Sequence, residues 1–334
     1  MKRRKILELL ESFKGIAVTV VGDYILDQYM VGDTGRVSRE APVVVIDYKG
    51  SIYHPGGAAN AARNVASLGG SPVSVGVVGA DREGDILREL LEEKGVGISR
   101  LVPNPGIETA LKIRITAGDL HAQRQQVARV DRLYEIEGHD PVFDALAESL
   151  SAAIEESGVV LISDYGMGVV PGTLSDMAIA ACRRKGIPLV VDSRFDLMKY
   201  RGATIAVPNE VEAMNALALD PRKAHEMETI AAAIVERAGL DGIIITRGHQ
   251  GMFVRSPGGE TRAIGIVGSG EATDVTGAGD TVAAATALTL AVGGSFVEAA
   301  EVASCAAAVV VMKRGTAAVA PREIEELLEA HSVS

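Results

Sequence analysis

The stretch Ile16-Ala17-Val18-Thr19-Val20-Val21, closed by Gly22-Asp23, decides the fold. It is continuously apolar and β-branched, the pattern of a strand buried on both faces, and such strands belong to parallel sheets covered by helices. Comparable runs recur at residues 73–78, 159–163, 188–192, 204–207 and 242–246. Between them, residues 58–68, 85–94, 144–156, 174–185 and 229–238 carry apolar side chains at helical spacing. Parallel neighbours need long crossovers, and these are right-handed. The chain is therefore expected to be α/β: a doubly wound, mostly parallel sheet with helices on both faces.

Two stretches break this rhythm, residues 28–54 and 107–131. They alternate apolar with polar positions, as in Lys112-Ile113-Arg114-Ile115-Thr116 and Gln126-Val127-Ala128-Arg129-Val130. Alternation marks half-exposed strands. We expect them to form a small antiparallel β lid inserted in one domain spanning residues 1–334. A sheet with a bare face needs a cover, either a ligand or the same sheet of a second copy, so a homodimer through the lid is expected.

The composition fits this picture. Of 334 residues, 47% are apolar and 23% charged, which supplies a core without disulfides or structural metal. The net charge of −11 argues against nucleic acid or an anionic membrane as a general partner, because phosphate contacts need clustered cations. Cys182 and Cys305 are far apart without metal-ligand spacing, which reads as helix packing in a reducing, cytoplasmic setting. The basic start is broken by Glu8 and Glu11 and reads as an amphipathic helix, not an export signal. The apolar run at residues 302–312 is too short to span a bilayer and reads as a buried helix.

The sharpest chemical signal is Asp274-Val275-Thr276-Gly277-Ala278-Gly279-Asp280-Thr281, which leads into an Ala-rich helical run at residues 282–292. Small residues there let backbone N–H groups at a helix N-terminus converge on an anion. Asp280 beside such a seat is placed to act as general base for an acceptor hydroxyl, although an acid in a first helical turn is also common for its own sake. A dinucleotide fingerprint would need Gly where Val282 stands, and a Walker A loop needs a Gly-Lys pair that the chain lacks. A second signal is His54-Pro55-Gly56-Gly57-Ala58-Ala59-Asn60. Bare backbone at Gly56 and Gly57 permits close approach of a ligand, and Asn60 offers donor and acceptor to a polyol. Asp23 sits at a strand's carboxyl end, where open α/β sheets hold ligands, and could equally cap a helix.

Gly56-Gly57 with Asn60, Asn209-Glu210-Val211-Glu212 and Asp274 to Asp280 resemble, in order along nearly the whole chain, the motifs of the PfkB (ribokinase-like) carbohydrate kinases. Val21 to Tyr29, Arg36-Val37-Ser38-Arg39-Glu40-Ala41-Pro42-Val43, Ser163-Asp164-Tyr165-Gly166, Lys112 with Arg114, Gln125-Gln126 with Arg129 and Asp131, and Tyr200 to Thr204 are most similar to the branch acting on D-glycero-β-D-manno-heptose 7-phosphate.

The resemblance implies a ribokinase-like fold and ATP-dependent phosphorylation of a sugar, at the C1 hydroxyl for that branch. It implies Asp280 as base, with Gly277, Ala278 and Gly279 as the anion hole. Asp23, Gly56, Gly57, Asn60, Lys112 and Asp164 would bind the acceptor. Asn209, Thr246, Arg247, Gly248 and Ser304 would bind the nucleotide, and Glu212 would order the waters of Mg²⁺. Asp274 and Gly315 correspond to positions where relatives bind a monovalent cation such as K⁺. Two departures stand out: that branch carries Lys where Met167 stands and Asn where Ser304 stands. Losing a cation weakens the case for a phosphorylated acceptor, and Arg194, Arg124 and Arg129 are candidates to replace it. The nucleotidyltransferase half of the bifunctional relative is not recognised after residues 321–330, so the kinase step alone is implied. Alternatives are a family kinase of ribose, fructose or a nucleoside, and a non-catalytic sugar or nucleotide sensor.

Overall fold

The structure, a computed structural model, describes residues 3–118, 125–137, 140–223, 225–268 and 272–331. Nine strands form the main sheet: β1 (Ala17–Gly22), β4 (Ser71–Gly79), β5 (Gly97–Asn104), β8 (Val159–Asp164), β9 (Leu189–Ser193), β10 (Ile205–Ala206), β11 (Gly242–Thr246), β12 (Met252–Arg255) and β13 (Thr261–Ile264). Their order is β13-β12-β11-β10-β9-β8-β1-β4-β5, parallel from β11 to β5, with β12 and β13 added antiparallel at one edge. Each of the six apolar runs becomes a strand. The hairpin of β12 and β13 was not legible, because four-residue strands around a Pro257-Gly258-Gly259 turn are too short to show a period.

The helices are α1 (Arg3–Ser12), α2 (Ala58–Ser67), α3 (Arg82–Glu93), α4 (Val142–Glu156), α5 (Gly172–Lys185), α6 (Glu210–Ala216), α7 (Met227–Ala238), α8 (Ala278–Ala291), α9 (Phe296–Val310) and α10 (Pro321–Ala330). They cover both faces, as the buried strands require. Val18 and Val20 of β1 pack among α1, α2, α8 and α9, whereas Val21 points to the layer of α4, α5 and α7. Helix α8 is buried on every side from Asp280 to Leu290, which explains its lack of a polar stripe. Cys182 and Cys305 are free and buried in α5 and α9. Among the described residues no helix is long and apolar enough to cross a membrane.

Four strands form a second sheet: β2 (Tyr24–Val37), β3 (Val44–Gly57), β6 (Ala110–Gly118) and β7 (Gln125–Arg132), in the order β3-β2-β6-β7. The pairs β2–β3 and β6–β7 are antiparallel, as expected, and the central pair β2–β6 is parallel. The long excursion through α2, β4, α3 and β5 between them is a crossover, which permits that direction. The sheet reaches further inward than its alternation shows, since Tyr24 pairs with Gly57 and Ile25 with Gly56 at its base. Residues 119–124, including Arg124, lie outside the described residues. Val37, Val44, Tyr48, Ile52, Val127 and Val130 are all more than half exposed on this sheet.

The order reverses at β1, which lies between β4 and β8. A crevice therefore opens at the carboxyl ends of β1 and β8, the switch point of the fold. The second sheet grows directly from that point, because β2 begins two residues after β1 ends.

Candidate active site

Asp280 lies in the first turn of α8 and is 2% exposed. The helix starts there because Gly277 takes the left-handed conformation (φ 79°) as its N-cap. Oδ2 of Asp280 accepts a hydrogen bond from Asn60 Nδ2 at 2.7 Å, and Oδ1 accepts one from the Tyr165 hydroxyl at 2.8 Å. Burial pushes its carboxyl above the ordinary range, opposed by those two donors and by Arg194. The Ala278 N–H donates to the Val275 carbonyl at 3.2 Å, so it is not free for an anion. The first-turn N–H groups of Gly279 and Asp280 have no carbonyl one turn earlier to meet.

Asp23 follows β1 and is 1% exposed. Its Oδ2 accepts the N–H groups of Tyr165 (2.6 Å) and Met167 (3.3 Å), while Oδ1 is buried without a partner. Burial, then the charge of Asp164, push its pKa up to about 6. Gly56 and Gly57 floor this side. A Cβ at Gly56 would come 2.7 Å from the Asp27 carboxylate, which is itself paired with Arg114 at 2.6 Å, and one at Gly57 would come 2.6 Å from the Asp23 carbonyl.

Two expected acceptor contacts look elsewhere. Asn60 gives its amide N–H to Asp280, so it orients the carboxylate. Asp164 is filled by protein: Oδ2 accepts from Ser193 (3.1 Å), Lys199 (2.9 Å) and Tyr200 (2.6 Å), and Oδ1 accepts from the Gly166 N–H (2.9 Å). Despite burial, Lys199 and Tyr200 hold its carboxyl below the usual range. It acts as the post on which the loop after β8 is hung.

The cations sort themselves by partner. Lys112 Nζ lies 4.8 Å from the centre of the Tyr165 ring and the Arg194 guanidinium lies 4.2 Å from it. Neither forms an ion pair within 4.0 Å among the described residues, and burial followed by the charge of Arg194 lowers the pKa of Lys112. Arg129 is different, forming a two-bond pair with Asp131. Met167 is buried against Ile25, Ala110, Tyr134 and Tyr165.

On the far side of Asp280, Asn209 and Glu212 form a capping box that starts α6: the Glu212 N–H donates to Asn209 Oδ1 and the Asn209 N–H to Glu212 Oε2. Thr246 bridges Asn209 across the strand ends. Arg247 reaches Glu210 at 3.6 Å while its Nε is buried without a partner, Gly248 is left-handed (φ 53°), and Ser304 donates to the Gly265 carbonyl. Burial and the charges of Asp280 and Glu212 drive the Asp192 carboxyl far up. No three ligating side chains are grouped to grip a metal directly among the described residues. Mutually repelling carboxylates at Asp192 and Glu212 do fit a divalent cation held through its waters. Asp274 and Gly315 are brought together, since Asp274 Oδ1 accepts from the Thr276 N–H and Oδ2 from the Gly315 N–H, both at 2.9 Å.

Sequence reading had not singled out Tyr165 or Asp192 as site residues. Both lie at the carboxyl edge of a parallel strand (β8 and β9), and Tyr165 also falls within the motif Ser163-Asp164-Tyr165-Gly166.

The profile of the pfkB family of carbohydrate kinases matches residues 18–323. The bifunctional protein HldE of Geobacter sulfurreducens is 37% identical over 325 residues, covering 97% of this chain and 65% of that protein. HldE of Halorhodospira halophila is 39% identical over 329 residues, covering 96% and 65%. The chain thus spans just under two thirds of the length of these relatives. Among solved structures, Arabidopsis thaliana ribokinase complexed with ribose and ATP superposes with a TM-score of 0.70 at 20% identity, over 95% of this chain and 99% of that one. Phosphofructokinase-2 from Escherichia coli, in complex with potassium, gives 0.76 at 19% identity, over 96% and 99%.

Proposed function

The chain belongs to the pfkB family of carbohydrate kinases, and from that premise we propose that it transfers the γ-phosphoryl group of ATP to the C1 hydroxyl of a phosphorylated heptose, D-glycero-β-D-manno-heptose 7-phosphate. The observation that carries the acceptor class is the pair Lys112 and Arg194. Both cations converge on the Tyr165 ring beside Asp280, and among the described residues neither has an ion pair within 4.0 Å. Unpaired cations at a buried site favour an anionic ligand, and a sugar phosphate supplies one. Arg194 thereby takes over from the lysine that Met167 displaces.

In this reading Asp23 Oδ1 accepts an acceptor hydroxyl, and the bare backbone of Gly56 and Gly57 lets the sugar lie close. Asp280, held by Asn60 and Tyr165, takes the proton of the attacking hydroxyl as that oxygen bonds to the γ-phosphorus and the bond to the β–γ bridging oxygen breaks, releasing ADP. The first turn of α8 faces the charge spreading over the phosphoryl oxygens. Thr246, Arg247, Gly248 and Ser304 border the nucleotide. Mg²⁺, ordered through water by Glu212 and Asp192, would neutralise phosphate charge, and Asp274 with Gly315 would hold a monovalent cation beside the helix start.

The test is coupled ADP release against heptose 7-phosphate, its dephosphorylated form, fructose, ribose and nucleosides, with Arg194→Ala beside the parent. Selectivity for the phosphorylated heptose is expected, with Arg194→Ala raising its KM about 10- to 100-fold and leaving any KM for neutral sugar unchanged. Turnover confined to neutral sugars or nucleosides overturns the acceptor and retains the kinase.

A pH dependence accompanies this assignment. As pH falls through about 6, Asp23 gains a proton and becomes a weaker acceptor for the sugar hydroxyl. The acceptor KM should therefore rise below pH 6, by about tenfold per unit at the steepest, while the ATP KM stays level. Steady-state kinetics from pH 5 to 8 measure it, and a flat acceptor KM removes Asp23 from the sugar.

A further inference from the structure

We propose that Tyr165 is a positioning residue for phosphoryl transfer, fixing the orientation of the Asp280 carboxylate and its placement relative to Asp23. This rests on the reading of Asp280 as base. One residue touches both carboxylates: the Tyr165 hydroxyl donates to Asp280 Oδ1 at 2.8 Å, and its backbone N–H donates to Asp23 Oδ2 at 2.6 Å. Asp23 and Asp280 are 257 positions apart in the chain, just after β1 and in α8, so a bridge of this kind sets their separation where local structure cannot.

The geometry suits the task. With Asn60 on Oδ2 and Tyr165 on Oδ1, the Asp280 carboxylate cannot turn about its Cβ–Cγ bond without losing a hydrogen bond. Each oxygen still has a second lone pair, so an acceptor hydroxyl can approach without displacing either donor. Tyr165 is itself braced. The next residue, Gly166, gives its N–H to Asp164, and the ring lies against Arg194 and Lys112. Burial, then the charge of Asp280, drive the phenol pKa far upward, so Tyr165 remains a donor throughout the working range. The bond it donates lowers the pKa of Asp280 against the effect of burial. The cations that we assign to the acceptor phosphate also brace this ring, so phosphate binding and base orientation meet at one side chain.

The experiment compares the parent, Tyr165→Phe and Asp280→Asn in the full chain, measuring kcat and both KM values from pH 5 to 9 together with thermal melting. Phe keeps the ring and its stacking and removes the hydroxyl alone. The expected result is a kcat lowered about 10- to 100-fold, an unchanged ATP KM, and an acid limb of the kcat profile moved to higher pH, because Asp280 has lost a donor. A purely structural role would lower the melting temperature and leave the limb in place. A fluorinated tyrosine at 165, a stronger donor of nearly the same shape, should move the limb the opposite way. If Tyr165→Phe retains parental kcat and limb while Asp280→Asn is inactive, the positioning role is overturned. If Asp280→Asn keeps its activity, the reading of the base falls first.

Discussion

Asp280→Asn should lower kcat by about 10²- to 10⁴-fold while leaving ATP affinity and melting temperature close to those of the parent. The amide has the shape of the carboxylate, so it fits the same buried niche in the first turn of α8. It can still accept from Asn60, and a turn of the Tyr165 hydroxyl satisfies its other end. What it cannot do is take a proton at the moment the acceptor oxygen attacks. Burial has raised the pKa of this carboxyl, which brings it nearer to the operating pH of a base and makes its loss more costly. Calorimetric titration with ATP and steady-state kinetics on the same preparation separate the two effects. Activity within tenfold of the parent would remove Asp280 from the chemistry.

The second large effect is expected at Gly277, where Ala should cost both stability and rate. The position has φ 79°, which disfavours an L side chain by about 1–2 kcal/mol. The added Cβ would also come within 2.6 Å of Asn60 Nδ2, the atom that holds Asp280 Oδ2. Asn60 has little room to give, since it is fully buried and its side-chain Oδ1 accepts from Asn64 Nδ2 at 3.4 Å. The displacement is therefore passed to the base, and a misplacement of this kind is expected to lower kcat by about 10²-fold. Gly279→Ala provides the contrast in stability alone: nothing lies within 4 Å of its Cβ, its φ is not left-handed, and a helical Ala should melt no lower than Gly. Melting curves of both variants, with kcat for Gly277→Ala, check this. Equal melting temperatures and a parental kcat would show that the helix start tolerates a side chain.

Both effects hinge on contacts that no short stretch of sequence reveals. The six apolar runs were legible as strands because burial on both faces is written residue by residue, and all six lie in the main sheet. The Asn209–Glu212 capping box is local as well, since its partners are three residues apart. The second sheet was legible from alternation, but its parallel centre was not, because direction depends on the path between β2 and β6.

The site divides along the same line. By itself the sequence determined the α/β fold, the helix that begins at the small-residue motif, and the acid in its first turn, because strand burial, helix start and glycine conformation are local matters. Only the tertiary structure decided how those parts are used. Asn60 faces the base, Asp164 braces a loop, Tyr165 joins Asp23 to Asp280, and Arg194 stands over its ring. Those pairings follow from the packing of α2 against α8 and from the parallel register of β1 with β8. The two bonds that hold Asp280 join side chains more than a hundred residues apart, and their geometry arises only when the layers close.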